Sequence, residues 1–338
     1  MRVLYVGAKS GTSVQRARAA ERLGHQVTHV DPYTDLPHRW ALWLNRTGGP
    51  GIDGLVARCL ARRILVGSYD LAHIDSGDVI GRRALAVIRG HAPVVSLYNA
   101  DNPWADPAPE RRRWTLLHRA LPGIDLAAAI RRPGQEAQMR ARGVRRPMLT
   151  PQTADEVAHA PVPDIDHPWR SKVCFVGTWM PGREDFMATL LDAGINLAIY
   201  GGRWERAPNI ARLRPHLRGH HLEGRDYARA VAGAQIALVI LNARNGDLHT
   251  TRSAEIPAIG TAMCALRTAE HLAMYQDDTE AIFFDNAADC ATQCKAWLAD
   301  PARLALLAAA GHARALANRN FNEPLMARIF AAAIQAKA

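Results

Sequence analysis

Between Asn242 and Gly260 the chain reads Asn-Ala-Arg-Asn-Gly-Asp-Leu-His-Thr-Thr-Arg-Ser-Ala-Glu-Ile-Pro-Ala-Ile-Gly. Glu255 falls near the start of a helix expected over 253–259, behind a loop rich in Gly, Asn and Thr. Exposed N–H groups at such a helix start can receive a phosphate, and a carboxylate there can accept two ribose hydroxyls. Asp247 lies eight residues earlier. The same residues also describe an N-capped helix with an acidic first turn, which needs no ligand. A second segment, Cys174-Phe-Val-Gly177-Thr178, leads through Trp179 and Pro181-Gly182 to Arg183. A glycine at a strand end lets the backbone approach a phosphate, and an arginine beside it supplies a bidentate fork; an arginine on a solvated loop is the alternative.

In the first half, Gly7-Ala-Lys-Ser-Gly11-Thr12 follows a strand and opens a helix, where backbone N–H groups could meet an anion. The spacing lacks a third glycine, and Asp31 is the one acid near the place a dinucleotide fold requires, so the pattern argues against NAD. A purely structural turn fits equally well. Cys290 and Cys294 are four apart on an expected helix, but no second Cys or His pair has metal-ligand spacing, and core packing accounts for them.

These segments need strands to hold them. Apolar runs at 2–6, 26–30, 71–74, 94–98 and 126–130 alternate with helix-period stretches such as 12–23 and 115–120. That alternation predicts α/β units with mostly parallel sheets. Residues 150–169 carry four prolines and follow neither period, which marks a linker over 151–169 between an N-terminal domain, 1–150, and a C-terminal one, 170–318. Strands are expected at 172–176, 196–200, 221–222, 236–241 and 261–266, with helices at 185–193, 227–233 and 253–259. The tail at 319–338 is expected to form a last helix, opened by Pro324, that packs back on the first domain. Open parallel sheets bind ligands at the carboxyl ends of their strands, so two such sheets facing each other make a cleft.

With 338 residues, the chain exceeds one ordinary core. Its 48% hydrophobic and 22% charged residues are globular proportions without a membrane-spanning run. No signal-peptide pattern follows Met1, and five scattered cysteines fit reduced thiols, so a cytoplasmic location is expected. The net charge of +10 is unevenly divided, with 23 Lys/Arg against 12 Asp/Glu in residues 1–150 and 19 against 20 thereafter. A basic half can attract an anionic acceptor, a membrane surface or nucleic acid, or can reflect an arginine-rich genome.

From Lys172 to about Arg314 the sequence resembles the CgeB-like, spore-maturation-type glycosyltransferases, relatives of the group-one glycosyltransferases. The likeness is carried by Phe-Val-Gly-Thr at 175–178, Ile-Tyr-Gly-Gly at 199–202 with Trp204, Leu-Glu-Gly at 222–224 with Tyr227, and Thr-Arg-x-x-Glu-x-x-x-x-Gly at 251–260. The resemblance implies a GT-B fold of two Rossmann-like doubly wound domains and transfer of a sugar from a nucleotide-sugar. It makes Glu255 the ribose ligand and Arg252, Thr251 and the helix start the diphosphate clamp, with Arg183 and Gly177 as further phosphate contacts. Asp247 takes the first position of a Glu-x7-Glu pattern, one methylene short, and Glu223 and Gly224 border the base. Gly11, Leu-Gly-His at 23–25 and the Tyr98–Trp104 segment carry a looser likeness, through which Asp101 becomes the candidate acceptor ligand or general base, with His73 and Asp75 in reserve. An Asx-Pro turn is the plain alternative for Asp101.

Negative charge builds on the departing diphosphate, and arginines with fixed N–H dipoles meet it without a metal. No convincing Asp-x-Asp motif is present, Asp277-Asp278 lies in a polar turn, and neither cofactor nor metal is expected. The acceptor class stays open among glycan, lipid-linked, protein and small-molecule compounds. A GT-B nucleotide-sugar epimerase, or a noncatalytic nucleotide- or polyanion-binding protein, would share the donor pocket.

Overall fold

The computed structural model describes all residues except 65–66, 106–109, 209, 243–245 and 337–338. The chain divides into two compact units. Met1–Pro151 with Asn322–Ala338 form most of the first, and Gln152–Ala243 with Asp247–Phe321 form most of the second.

The first unit is built on six parallel strands, β1 Arg2–Val6, β2 Gln26–Val30, β3 Leu71–Asp75, β4 Val95–Asn99, β5 Leu126–Ile130 and β6 Pro147–Thr150, in the order β2-β1-β3-β4-β5-β6. Its helices are α1 Gly11–Arg22, α2 Trp40–Thr47, α3 Ile52–Arg63, α4 Arg82–His91, α5 Thr115–Ala120 and α6 Gln135–Ala141. The second unit begins with β7 Ser171–Val176, β8 Leu197–Tyr200, β9 Leu217–Gly219, β10 Ala234–Val239, β11 Ala262–Leu266 and β12 Ile282–Phe284, in the order β12-β11-β10-β7-β8-β9. Its helices are α7 Arg183–Asp192, α8 Ile210–Leu213, α9 Gly224–Ala232, α10 Arg252–Ile259, α11 Ala269–Met274, α12 Ala287–Leu298 and α13 Pro301–Asn318. The last helix, α14 Asn322–Gln335, returns to the first unit.

Because successive strand residues face opposite sides, each central strand feeds two cores. Leu4 and Val6 join one cluster and Val3 and Tyr5 the other. Val173 and Phe175 likewise separate from Cys174 and Val176. On the Val3 face, α14 lays down Leu325, Met326, Ile329, Phe330 and Ala333, a helix-period stripe that is almost wholly buried. Burying each of the larger side chains contributes roughly 1.5–3 kcal/mol. The stripe ties α14 to α1, β4 and β5, and Arg22 of α1 pairs with Glu323.

Two expectations need correction. The strand expected at 221–222 lies at 217–219, and 221–223 form the loop before α9. Residues 147–150 pair with β5 as an edge strand, so the sheet runs up to the last residue before the expected linker. In both sheets the order reverses direction once, between β1 and β3 and between β10 and β7. Those are the points where an open parallel sheet leaves room for a ligand at the carboxyl ends of its strands.

Candidate functional site

In the second unit, two arginines cover the carboxyl ends of β7 and β10. Arg183 opens α7 and donates to the Thr178 carbonyl at 2.6 Å and to the Ile240 carbonyl at 3.1 Å, so its guanidinium spans the reversal in strand order. Arg252 opens α10 and donates to the Val176 carbonyl at 2.5 Å. Among the described residues neither has a carboxylate partner. Burial, and then the charge of Arg252, push Arg183 down to about 10, which still leaves it cationic at neutral pH. A buried cation with a second cation for company favours any anion that enters.

The floor beneath the arginines is tightly constrained. Gly201 has φ 140°, and a Cβ there would lie 2.1 Å from the Gly177 carbonyl oxygen, so only glycine fits. That same oxygen accepts the Trp204 indole N–H at 3.0 Å. A Cβ on Gly177 would meet the Phe175 ring at 2.6 Å, and Arg183 lies over that ring at 5.2 Å.

Glu255 occupies the first turn of α10 and is 5% exposed. His159 Nε2 stands 3.8 Å from its Oε1. His159 Nδ1 accepts the Asp155 N–H at 2.8 Å, which in the neutral ring leaves the proton on Nε2, facing the carboxylate. Tyr227 is buried close to Glu255, and burial, then the Glu255 charge, raise the pKa of its hydroxyl. A carboxylate offers about four lone-pair sites, so Glu255 keeps acceptor capacity beside these neighbours. Sequence reasoning missed His159 because it lies in the stretch assigned to a linker. The usable signal was Asp155, whose Oδ1 caps the N–H groups of Val157 and Ala158 like a helix start.

The start of α10 is braced from behind. Pro257 cannot donate to the Ser253 carbonyl four residues earlier, and the Tyr275 hydroxyl donates to it at 2.9 Å instead. Ser253 Oγ accepts the Thr250 N–H at 3.1 Å and meets His271 Nε2 at 2.8 Å, while His271 Nδ1 donates to the Leu266 carbonyl at 2.6 Å. That fixes Nε2 as the acceptor of the Ser253 proton. The pair looks like a nucleophile and base, but both side chains are 0% exposed. Its work is to hold the helix start.

Of the remaining expected donor ligands, Gly11 opens α1 in the first unit, and the others lie on loops and helix starts of the second. Thr251 is the N-cap of α10 with no side-chain cap bond, and Asp247 lies half-buried in the preceding loop. Glu223 is the N-cap of α9, its Oε1 2.8 Å from His221 Nε2, and Gly224 follows at φ 54°.

In the first unit, a cavity of ≈ 550 Å³ opens at the carboxyl ends of β1 and β3, bordered by Gly11, Arg16, Asp75, Asp78, Asp101 and Arg113. Asp75 is committed: Arg16 grips both its oxygens at 2.7 and 3.0 Å, and the Tyr5 hydroxyl donates to it. Burial alone would raise its carboxyl, but Arg16 holds it below the ordinary value, which suits an ion pair better than a base. His73, the other reserve, lies in the core against Tyr5 and Phe330, hydrogen-bonded to Ser96 and pushed by burial down to about 4. It does not border the cavity. Asp101 does, 3.2 Å from Arg113, with burial and then Asp78 and Glu110 raising its carboxyl against the pull of Arg113. The Asp101 N–H donates to Asn99 Oδ1 at 2.8 Å, so an Asx turn sets its position.

Cys264, from β11, joins Cys290 and Cys294 on α12, with the three sulfurs within 4.8 Å of one another and buried in the core. The third thiol, on a strand 26 residues away, was invisible to spacing along one helix.

Residues 183–328 match the glycosyl transferase-like family model, a span that includes Arg183, Arg252 and Glu255. No curated protein matches the sequence. Among solved structures, sucrose-phosphate synthase from Thermosynechococcus elongatus superposes with a TM-score of 0.65 at 14% identity, over 98% of each chain. HepE from Anabaena, solved with UDP-glucose, superposes with 0.64 at 12% identity, over 98% of this chain and 100% of its own. AviGT4, a glycosyltransferase of avilamycin A biosynthesis, gives 0.58 at 14% identity, over 99% and 97%. Together with the two six-stranded parallel sheets, these neighbours identify the GT-B fold.

Proposed function

We propose that the protein transfers a sugar from a nucleotide-sugar to an acceptor and that the second unit holds the donor. The observation that carries this reading is the pair Arg183 and Arg252, cationic and without acid partners, at the reversal of strand order and beside the start of α10. Diphosphate oxygens would complete both forks, and Glu255, one turn into α10, would accept the ribose hydroxyls. Stabilising the departing diphosphate in this way lowers the barrier most where charge develops, and a single such donor contributes about 3–4 kcal/mol in comparable sites. No metal is needed for that step. Support comes from the family match over these residues and from neighbours solved with UDP or UDP-glucose. The finer CgeB-like assignment rests on the motifs between 172 and 314.

Asp101 is the proposed acceptor ligand or base, since it borders the first-unit cavity whereas His73 is buried and Asp75 is paired. A raised carboxyl would move the acid limb of the pH–rate profile upward, and Asp101→Asn should remove that limb while leaving donor binding intact. Calorimetric titration with UDP-sugars and GDP-sugars tests the donor reading. Binding is expected for the wild type and should weaken at least about tenfold in Glu255→Ala, as loss of a charge-assisted hydrogen bond implies. Equal affinity in the two proteins would sink the role given to Glu255.

A further inference from the structure

The excess positive charge of the first half has a second focus, on the outer face of α2, the helix whose Trp40 borders the cavity described above. Helix α2 packs through Leu44, which is 1% exposed, and Trp40, whose ring centroid lies 5.0 Å from that of Tyr33 in a tilted pair. Its other face carries Leu42 and Trp43, 45% and 37% exposed. Arg46 lies one turn from Leu42, and Arg39 one turn from Trp43. No acidic residue occurs between Asp35 and Asp53. Both of those acids are occupied: Asp35 pairs with Arg62 and Arg63, and Asp53 accepts the N–H groups of Gly81, Arg83 and Ala84 at the start of α4.

The neighbouring elements extend the same pattern. The short turn Arg111–Trp114 packs on α2, and Arg112 donates to the Arg46 carbonyl. At the far end of α2 a pocket of ≈ 610 Å³ is bordered by the glycine-rich loop 48–51 and by Arg82, Arg83 and Arg119. Among the described residues, none of Arg39, Arg46, Arg111, Arg82, Arg83 and Arg119 has a carboxylate within ion-pair distance.

We infer that α2 and the arginines around it form a docking face for an anionic lipid surface. Leu42 and Trp43 enter the boundary between headgroups and acyl chains, and the arginines meet lipid phosphates. A basic face alone would suit any polyanion. The exposed leucine and tryptophan, each within a turn of an arginine, distinguish a bilayer from a soluble one, since an interfacial helix needs both apolar depth and surrounding positive charge. The helix is too short to span a membrane, and no helix among the described residues is long and apolar enough to do so. The inference does not depend on the transfer reaction.

Co-sedimentation of the full chain with vesicles tests it, comparing phosphatidylglycerol–phosphatidylcholine mixtures with pure phosphatidylcholine. Binding is expected to the mixed vesicles only, and to weaken as salt rises. Arg39→Glu with Arg46→Glu should lower partitioning roughly 25-fold or more, at roughly fivefold for each arginine removed from the surface. Leu42→Ser with Trp43→Ser should lower it about tenfold or more, with unchanged thermal unfolding because both positions are exposed. Failure of the wild type to pellet with anionic vesicles would overturn the inference. So would wild-type partitioning by the Leu42/Trp43 variant, or binding to single-stranded DNA that exceeds vesicle binding and ignores the Leu42/Trp43 substitutions.

Discussion

Arg16 and Arg183 sit on corresponding helices, each following the first strand of its own sheet, and their surroundings differ sharply. Arg16 is closed by Asp75, with two short contacts and the Tyr5 hydroxyl completing the set. Arg183 meets only carbonyl oxygens, and its neighbouring charge is another arginine. A doubly wound fold offers the same place twice. One sheet has filled it with an internal counter-ion, and the other, among the described residues, offers no acid there, which is what the proposed donor site requires.

The largest expected effect is on the closed side. Arg16→Met would leave Asp75 buried and unpaired, at a cost of about 3–5 kcal/mol by thermal or denaturant unfolding. The pH dependence has a fixed sign. Asp75 is held below 3.8 in the folded state, so the pair contributes fully above that pH and its contribution is lost as pH falls through the lower folded value. An Arg16→Met/Asp75→Leu double variant should therefore differ from wild type in its acid unfolding below about pH 4.

Next comes the open side. Arg183→Met strands no acid but takes the donors from the Thr178 and Ile240 carbonyls, so it should cost about 1–2 kcal/mol, less than Arg16→Met, while UDP affinity drops roughly 10- to 100-fold. If the two methionine variants were equally destabilised, the contrast between the two positions would collapse. Tyr275→Phe should cost about 1 kcal/mol or somewhat more, because it leaves the Ser253 carbonyl without its donor; unfolding by urea measures it. The smallest effect is none: EDTA should leave the transfer rate unchanged, and a rate restored by added divalent ion would contradict the metal-free clamp.

The central strands at 2–6 and 126–130 were legible to the residue, because strands buried on both faces are written as unbroken apolar runs. The strands that were missed or misplaced, β6, β9 and β12, are all at sheet edges. Pro147 opens β6, a place where proline is tolerated because an edge lacks a neighbour, and the strand ends immediately before Pro151, the first proline of the stretch assigned to a linker. Leu217-Arg-Gly offers one apolar residue, so the apolar signal drew attention to Leu222 instead. The placement of Arg183, Arg252 and Glu255 at the starts of α7 and α10 was legible, because helix starts and the glycines before them have local signatures. His159, Tyr275 and Cys264 were not, since each acts on a partner distant in sequence. No spacing rule could separate Asp75 from Asp101 either. That distinction rests on Arg16, 59 residues from the acid it neutralises.

The proline in α10 also has a consequence for the order in which the protein can be completed. The helix cannot finish its own hydrogen-bond ladder at Ser253, and the missing donor, Tyr275, is encoded twenty-two residues downstream. A nascent chain that has emerged only as far as α10 holds the arginines and the glutamate but lacks the brace that aligns them. The proposed donor pocket therefore stays unbraced until β11 and α11 have left the ribosome, and the first sheet waits longer still, because α14, which covers its Val3 face, is the last helix to emerge.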